Sequence, residues 1–359
     1  MSEDVKKYFQ ILSADCPEWL NDYIATPEMQ RLKGVSMSCG CDFLRMYNIS
    51  RSYNTLEHSV AVALIVWHFT KDKVQTIAAL FHDISSPAFK HCVEVMNGDA
   101  LNQETIENST YEVIKKSKSI RALLKRDRIR PKQVSDYHQF TIADNDTPRL
   151  SADRLEYSLT NAHKVDYFGV AMPLSTIRKF YNNLTIGKNG DGEEELAFLD
   201  YGVAKDFVKK ICHLWPKWCD ARYVITTETY SRFLKKAIKA KVFSYEELYQ
   251  MTDKEAILAM RKSKNREIAQ AIRKFMQVKR CYEGDNPPAN RYVIKNYPVK
   301  RRYIDPLVCT DMKIEIKTGK IKFGYTRLSK CSPECLKIQK SFFAQENKQY
   351  SWLNTKIAL

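Results

Sequence analysis

Histidine is scarce in this chain of 359 residues, which contains seven. Glycine (11) and proline (12) are also sparse, and no segment repeats or falls into low complexity, which excludes repeat and low-complexity architectures. Long hydrophobic runs are missing too. The longest, VAVALIVW, is too short to span a bilayer, so no membrane partner is expected. The N-terminal MSEDVKKYFQIL has no long apolar core of the kind secretory signals carry, and a soluble, cytoplasmic protein is expected. The ten cysteines form no paired CxxC motifs, and free thiols are the expectation. CGC (Cys39, Cys41) and CSPEC (Cys331, Cys335) would be poorly spaced halves of a zinc site.

What is present is a folding composition. Hydrophobic residues make up 44% and aromatic residues 11%, and the length suits one large domain or two ordinary ones. The formal net charge of +16 is unevenly placed. Residues 1–200 carry 24 basic and 27 acidic side chains, whereas residues 201–359 carry 34 and 15. A basic second half suits phosphate-rich ligands, either nucleotides or nucleic acid; solvated lysines on amphipathic helices would give the same count.

Apolar spacing predicts helices in TLEHSVAVALIVWHFTKD, KVQTIAALFHDI, SADRLEYSLTNAHKV, VAKDFVKKICHLW and NREIAQAIRKFMQVKR. The segment 183–202 contains four glycines and predicts a loop or short hairpin. After YEGDNPPAN (282–290) the pattern changes. RYVIKNYPV and MKIEIKTGKIKFGYTR alternate like strands, with Thr318-Gly319 as a two-residue turn, and SPECLKIQKSFFAQEN reads as a further helix. The expected fold class is mainly α, a helical core over residues 1–285 with a small basic α+β region over 286–359.

Two of the seven histidines fall in AALFHDISSPAFKH (78–91), one of them against an aspartate at the end of an apolar run. Metal centres for phosphate chemistry use imidazole nitrogens and carboxylate oxygens. Adjacent helical side chains diverge by about 100°, so His82 and Asp83 reach one ion only if it sits over that edge. His58 in LEHSVAV begins a strongly apolar helix, and Asp153 in SADRLEYS heads another. Both are polar groups at the rim of a core.

The order His58, His82-Asp83, Asp153 resembles the H…HD…D pattern of the HD-domain metal phosphohydrolases. LEHSVAVA is similar to FEHSLGVG of the deoxynucleoside triphosphate triphosphohydrolase branch, which includes the SAM-and-HD-domain and dGTPase-like enzymes. LFHDISSPAFKH is similar to that branch's LCHDLGHGPFSH, and ADRLEYS to its DKWDYF. MTDKEAILAMRKSKNREIAQAIRKFMQVKRCY and RRYIDPLV resemble later segments, so the likeness covers roughly residues 28–308. It implies an HD-domain helical core holding one divalent ion (Mn, Fe, Mg, Co, Ni or Zn) on His58, His82, Asp83 and Asp153. It also implies that His91 protonates the leaving oxygen with Glu94 as its acidic partner, that Arg154 takes the role of a phosphate-binding lysine, and that Tyr157 packs on the substrate sugar.

The departures are specific. Ser86 replaces a second histidine of the motif, and Asn102 and Gln103 beside Glu104 replace a downstream His-Glu pair. Thr55 replaces a basic residue, with Arg51 one turn away. A nucleotide-contacting HRRAYQH segment corresponds to WPKWCDARY, which makes Lys217, Arg222 and Tyr223 the candidate contacts. His68, His138, His163 and His213 show no partner pattern and read as structural. The expectation that follows is an enzyme, a nucleotide phosphohydrolase releasing nucleoside and tripolyphosphate. The alternatives are an HD-type phosphodiesterase or nuclease acting on nucleic acid held by the basic half or on another phosphorylated small molecule, and a non-catalytic nucleotide or nucleic-acid sensor that retains the metal site. Members of the branch often assemble, so a homo-oligomer is a further expectation.

Overall fold

The most apolar stretch of the sequence becomes the helix around which the rest is packed. The computed structural model describes residues 2–47, 49, 53–101, 109–163, 171–315 and 320–358; Arg51, Asn102, Gln103, Glu104 and the Thr318-Gly319 turn lie outside them. Numbering only the helices used below, these are α1 (Glu3–Leu12), α2 (Thr55–Thr70), α3 (Lys73–Phe81), α4 (His91–Asn97), α5 (Ala152–His163), α6 (Tyr201–Ile211), α7 (Ala221–Lys239), α8 (Asp253–Arg261), α9 (Arg266–Met276) and α10 (Pro333–Phe343). The architecture is mainly α, as composition and periodicity predict.

Helix α2 starts at a capping box. The Asn54 side chain accepts from the Glu57 amide at 2.9 Å, and the Glu57 carboxylate accepts from the Asn54 amide at 3.3 Å. Residues Val60 to Val66 are buried all round, so this stretch of α2 has no solvent face and belongs in the interior. Helix α3, capped by Asp72 on the Gln75 amide, packs on α2, and so does α5. These helices form a first core with α1 and α6. A second core gathers residues of α4, α7, α8 and α9. The segment from His82 to His91 runs from one core to the other, with Ile84 packed in the first and Ala88 and Phe89 in the second.

The segment 183–202, expected as a loop or short hairpin, forms the hairpin of β1 (Leu184–Lys188) and β2 (Glu194–Phe198). Strand β3 (Cys281–Gly284) falls at the end of a stretch that reads as helical. It forms because β7 (Tyr350–Leu353) pairs with it across most of the C-terminal region, with β4 (Tyr292–Lys295) on the other side of β7. Strands β5 (Leu307–Glu315) and β6 (Lys320–Arg327) complete a four-stranded sheet in the order β1-β2-β5-β6. The β2–β5 pairing is parallel, Ala197 to Leu307 and Phe198 to Val308. Buried Glu195 on β2 receives the Arg327 guanidinium at 2.5 and 2.7 Å, which fastens β6 to the hairpin.

All ten cysteines are free. Cys39 and Cys41 pack in the second core and Cys335 in the first, so CGC and CSPEC are not brought together. Among the described residues no helix is long and apolar enough to cross a membrane.

Candidate metal centre

The four ligands expected from the sequence come from three places in the first core. His58 lies one turn into α2, His82 and Asp83 follow the last residue of α3, and Asp153 is the second residue of α5. His58 Nε2 lies 3.1 Å from His82 Nε2, 3.0 Å from Asp153 Oδ1 and 3.9 Å from Asp83 Oδ2. His82 Nε2 lies 3.4 Å from Asp83 Oδ2 and 3.9 Å from Asp153 Oδ1. Two ligands each about 2.1 Å from an ion stand about 3.0 Å apart at a right angle and about 3.4 Å apart in a tetrahedron. Three of the five separations fall in that range, and the two at 3.9 Å lie above it. His58, His82 and Asp83 also form a group whose ligand atoms all lie within 4.8 Å of one another.

Both imidazoles are oriented from behind. His82 Nδ1 donates to the Ala79 carbonyl at 2.7 Å, which leaves Nε2 with its lone pair toward the cluster. His58 Nδ1 bonds Glu156, whose carboxylate is completely buried. The other Glu156 oxygen accepts from Tyr53 Oη at 2.9 Å and Tyr8 Oη at 3.4 Å. Glu156 was not among the sequence candidates. Its signal was there, an acid three residues beyond Asp153 and so on the same face of α5.

The electrostatics favour a cation. Burial opposes protonation of His58, but Glu156 and Asp153 outweigh it and raise the imidazole to about 10. Asp83 lies well below the usual carboxylate range, because Lys90 and His82 outweigh the effect of burial. Ser86, which stands where a histidine was expected, donates to Asp83 Oδ1 at 2.8 Å, and Lys90 Nζ donates to Oδ2 at 2.6 Å.

The turn between the ligands and His91 is held from both cores. Phe89 and Lys90 both have positive φ, 66° and 39°, a conformation that costs roughly 1–3 kcal/mol per residue. Buried Asp253 at the start of α8 accepts from the Phe89 amide at 2.7 Å and the Ser36 amide at 2.9 Å. Burial pushes the Asp253 carboxyl up to about 7. Arg31 donates to the carbonyls of Ser86 at 2.6 Å, Ile84 at 3.3 Å and Met251 at 3.3 Å. Gly40, with φ of 82°, lies where a Cβ would come 2.7 Å from the Phe89 ring, so only glycine allows this approach.

His91 opens α4, and its Nδ1 bonds Glu94 at 2.6 Å, the i, i+3 pairing expected of them. It lines a cavity of about 130 Å³ together with Tyr157, Lys217, Trp218, Tyr223 and Arg302. Tyr157 meets the edge of Trp218 at 5.1 Å. Three of the expected substrate contacts, Tyr157, Lys217 and Tyr223, are therefore brought together. Arg222 lies beside them, its guanidinium 5.8 Å from the ring of Tyr47, which also lines the cavity. Arg302 joins from the RRYIDPLV segment and was missed, because nothing local marks which of its two arginines turns inward.

Arg154 faces a different space, a polar cleft of about 900 Å³ that also reaches His82, Tyr137 and His138. Its guanidinium bonds the Arg149 carbonyl at 2.7 Å, Asn145 at 2.7 Å and Asp144 at 3.1 Å. His138, read as structural, lines this cleft and pairs with Asp144 at 3.2 Å. His163 is tied to Met172 and Asp4, and His68 meets Phe69 edge to face and Tyr181 at a tilt.

No family model matches the chain. Among solved structures it superposes on a phosphohydrolase from Bacteroides thetaiotaomicron with a TM-score of 0.60 and 14% identity, over 95% of this chain and 96% of that one. The chain has the fold of a solved phosphohydrolase. A hypothetical protein from Aquifex aeolicus gives the same TM-score at 17% identity, over 94% and 93% of the two chains. In sequence, the chain is 27% identical to the uncharacterized protein YdhJ of Bacillus subtilis, over 82% of this chain and 85% of that one. It is 25% identical to the metal-dependent phosphohydrolase cns2 of Cordyceps militaris, over 80% and 79%.

Proposed function

We propose that this protein is a metal-dependent phosphohydrolase acting on a nucleotide. The observation that carries the reading is the convergence of His58 Nε2, His82 Nε2, Asp83 Oδ2 and Asp153 Oδ1, with Nδ1 of both imidazoles bonded elsewhere. The likeness to cns2 and the shared phosphohydrolase fold support it. A divalent ion held there supplies Lewis acidity to the phosphoryl group and to the attacking water. The protein supplies the rest. With Nδ1 taken by Glu94, His91 has Nε2 available to give a proton to the leaving oxygen. Tyr157, Trp218 and Tyr223 offer aromatic faces for a base or sugar, and Lys217 and Arg302 offer positive charge for phosphate.

For the reaction itself, the motif likeness favours a (d)NTP triphosphohydrolase that releases nucleoside and tripolyphosphate. One observation favours a second reading, removal of a single phosphoryl group. Three side chains that replace other residues of the branch, Arg154 among them for its phosphate-binding lysine, are bonded within the protein: Ser86 to Asp83, Thr55 to the Val35 carbonyl at 2.9 Å, and Arg154 to Asp144, Asn145 and the Arg149 carbonyl. Product analysis separates the two. Nucleoside mono- and triphosphates, ribo and deoxy, are incubated with Mn²⁺, with His82→Ala/Asp83→Ala as the blank. Tripolyphosphate supports the first reading and orthophosphate from monophosphates the second. Cleavage only of single-stranded DNA or RNA would move the assignment to a nuclease, and no cleavage of any substrate refutes the proposal.

A further inference from the structure

Lys90 takes no part in that chemistry and is the most unusual residue of the segment. A lysine is almost never this buried unless paired; Lys90 is 5% exposed. Its Nζ lies 2.6 Å from Asp83 Oδ2, the same oxygen that faces the two imidazole nitrogens, and 3.3 Å from Met37 Sδ. The thioether is a weak acceptor, and an ammonium has three donors. With those two bonds, the ammonium keeps a donor beside the ligand cluster. Met37 also lines the cavity that holds His91, so Lys90 bonds one residue of the cluster and one of the cavity wall.

Charge gives this position a purpose. Asp83, Asp153 and Glu156 place three carboxylates around two imidazoles that must be neutral to act as ligands. A divalent ion leaves that cluster one negative charge in excess, which repels a phosphate. The Lys90 ammonium removes the excess. Two-metal phosphohydrolases meet the same need with a second ion about 3.5–4 Å from the first. Here the second place on Asp83 Oδ2 is taken by the lysine.

Building on the phosphohydrolase reading, we propose that Lys90 is the built-in second cation of a one-metal site, its remaining N–H donating to a phosphoryl oxygen of the substrate. The test uses the full chain as wild type, Lys90→Met and Lys90→Gln, each stripped by chelation and reloaded with Mn²⁺. Metal content is measured by mass spectrometry, Mn²⁺ affinity by calorimetry, and anion binding by titration with inorganic phosphate. Wild type is expected to hold one ion per chain and to bind phosphate only when loaded. Lys90→Met is expected to hold one ion at least as tightly, because the ammonium no longer repels it or competes for Asp83. Its phosphate affinity falls tenfold or more.

A merely structural lysine gives a different pattern, in which metal and phosphate affinity fall together, and that result overturns the proposal. So does phosphate affinity unchanged in both variants, or a second ion in the wild type. If Lys90→Met does not fold, Lys90→Gln must show the same split between metal and anion, and its absence there is equally decisive. Wild type that takes up no ion at all refutes the metal-dependent reading itself, which keeps the two failures distinct.

Discussion

Replacing Glu156 by glutamine tests whether the metal centre depends on a residue that would touch neither ion nor substrate. The substitution keeps the shape and removes one buried charge. Glutamine can turn its carbonyl to His58 Nδ1 and its amide toward Tyr53 Oη, because a hydroxyl that donates at 2.9 Å can rotate to accept. The fold therefore keeps its hydrogen bonds. The His58 bond weakens from charge-assisted to neutral, a change from roughly 1.5–3 to roughly 0.5–1.5 kcal/mol. The difference of about 1–1.5 kcal/mol lowers metal affinity about tenfold, the low end of the effect usual for residues that orient metal-bound histidines. Calorimetric titration of the stripped protein with Mn²⁺ measures it, and thermal unfolding of the stripped protein serves as control. Mn²⁺ affinity within threefold of wild type would refute the reasoning, as would a loss of stability without a loss of affinity. Glu156→Ala is the harsher variant. It removes the buried acceptor of His58 Nδ1 and of the Tyr8 and Tyr53 hydroxyls, at about 1–3 kcal/mol for each bond lost, and unfolding is the expected result.

The other predictions concern proton transfer and the turn that carries it. His91→Gln should lower kcat by about 10²–10⁴ while metal content stays at the wild-type level, and Glu94→Gln should lower it less, both read by steady-state kinetics and mass spectrometry. Asp253 is pushed up by burial to about 7, above its unfolded value near 3.8, so between those values the folded state binds the extra proton and wild-type stability falls as pH rises. Asp253→Asn should flatten that slope. Urea unfolding of stripped protein at pH 5 and pH 8 shows it, and equal slopes in both proteins would contradict the assignment. Tyr157→Ala should raise KM more than it lowers kcat, because it removes a wall of the cavity and no proton donor.

The sequence by itself determined the local features that set up the site. The apolar run after Asn54 made α2 an interior helix and placed His58 near its capped start. Periodicity ended α3 at His82-Asp83, and the step of three residues put Glu94 within reach of His91. Each is a short-range consequence of residue order, settled by helical geometry and capping. The strands in RYVIKNYPV and MKIEIKTGKIKFGYTR were legible for the same reason, as period-two alternation, whereas β7 was not read. Strand β3 was not, because a four-residue strand exists only where a partner lies, and that partner is β7.

Tertiary structure decided which groups face one another. Glu156 reaches His58 only because α5 packs on α2, and Tyr8 and Tyr53 complete its bonds from distant segments. Asp253 holds the turn before His91 from the second core and Arg31 from the side of the first, and no spacing in the sequence joins them to it. Arg302 rather than Arg301 enters the cavity, whereas Arg301 bonds carbonyls at the end of α10. Arg154, which the motif placed on phosphate, is held by Asp144 and Asn145 because the loop before α5 folds back over it. Residue identity sets what a side chain can do. The packing of helices sets what it meets, because hydrogen bonds and ion pairs act over a few ångströms and the chain brings distant segments that close only once it is folded.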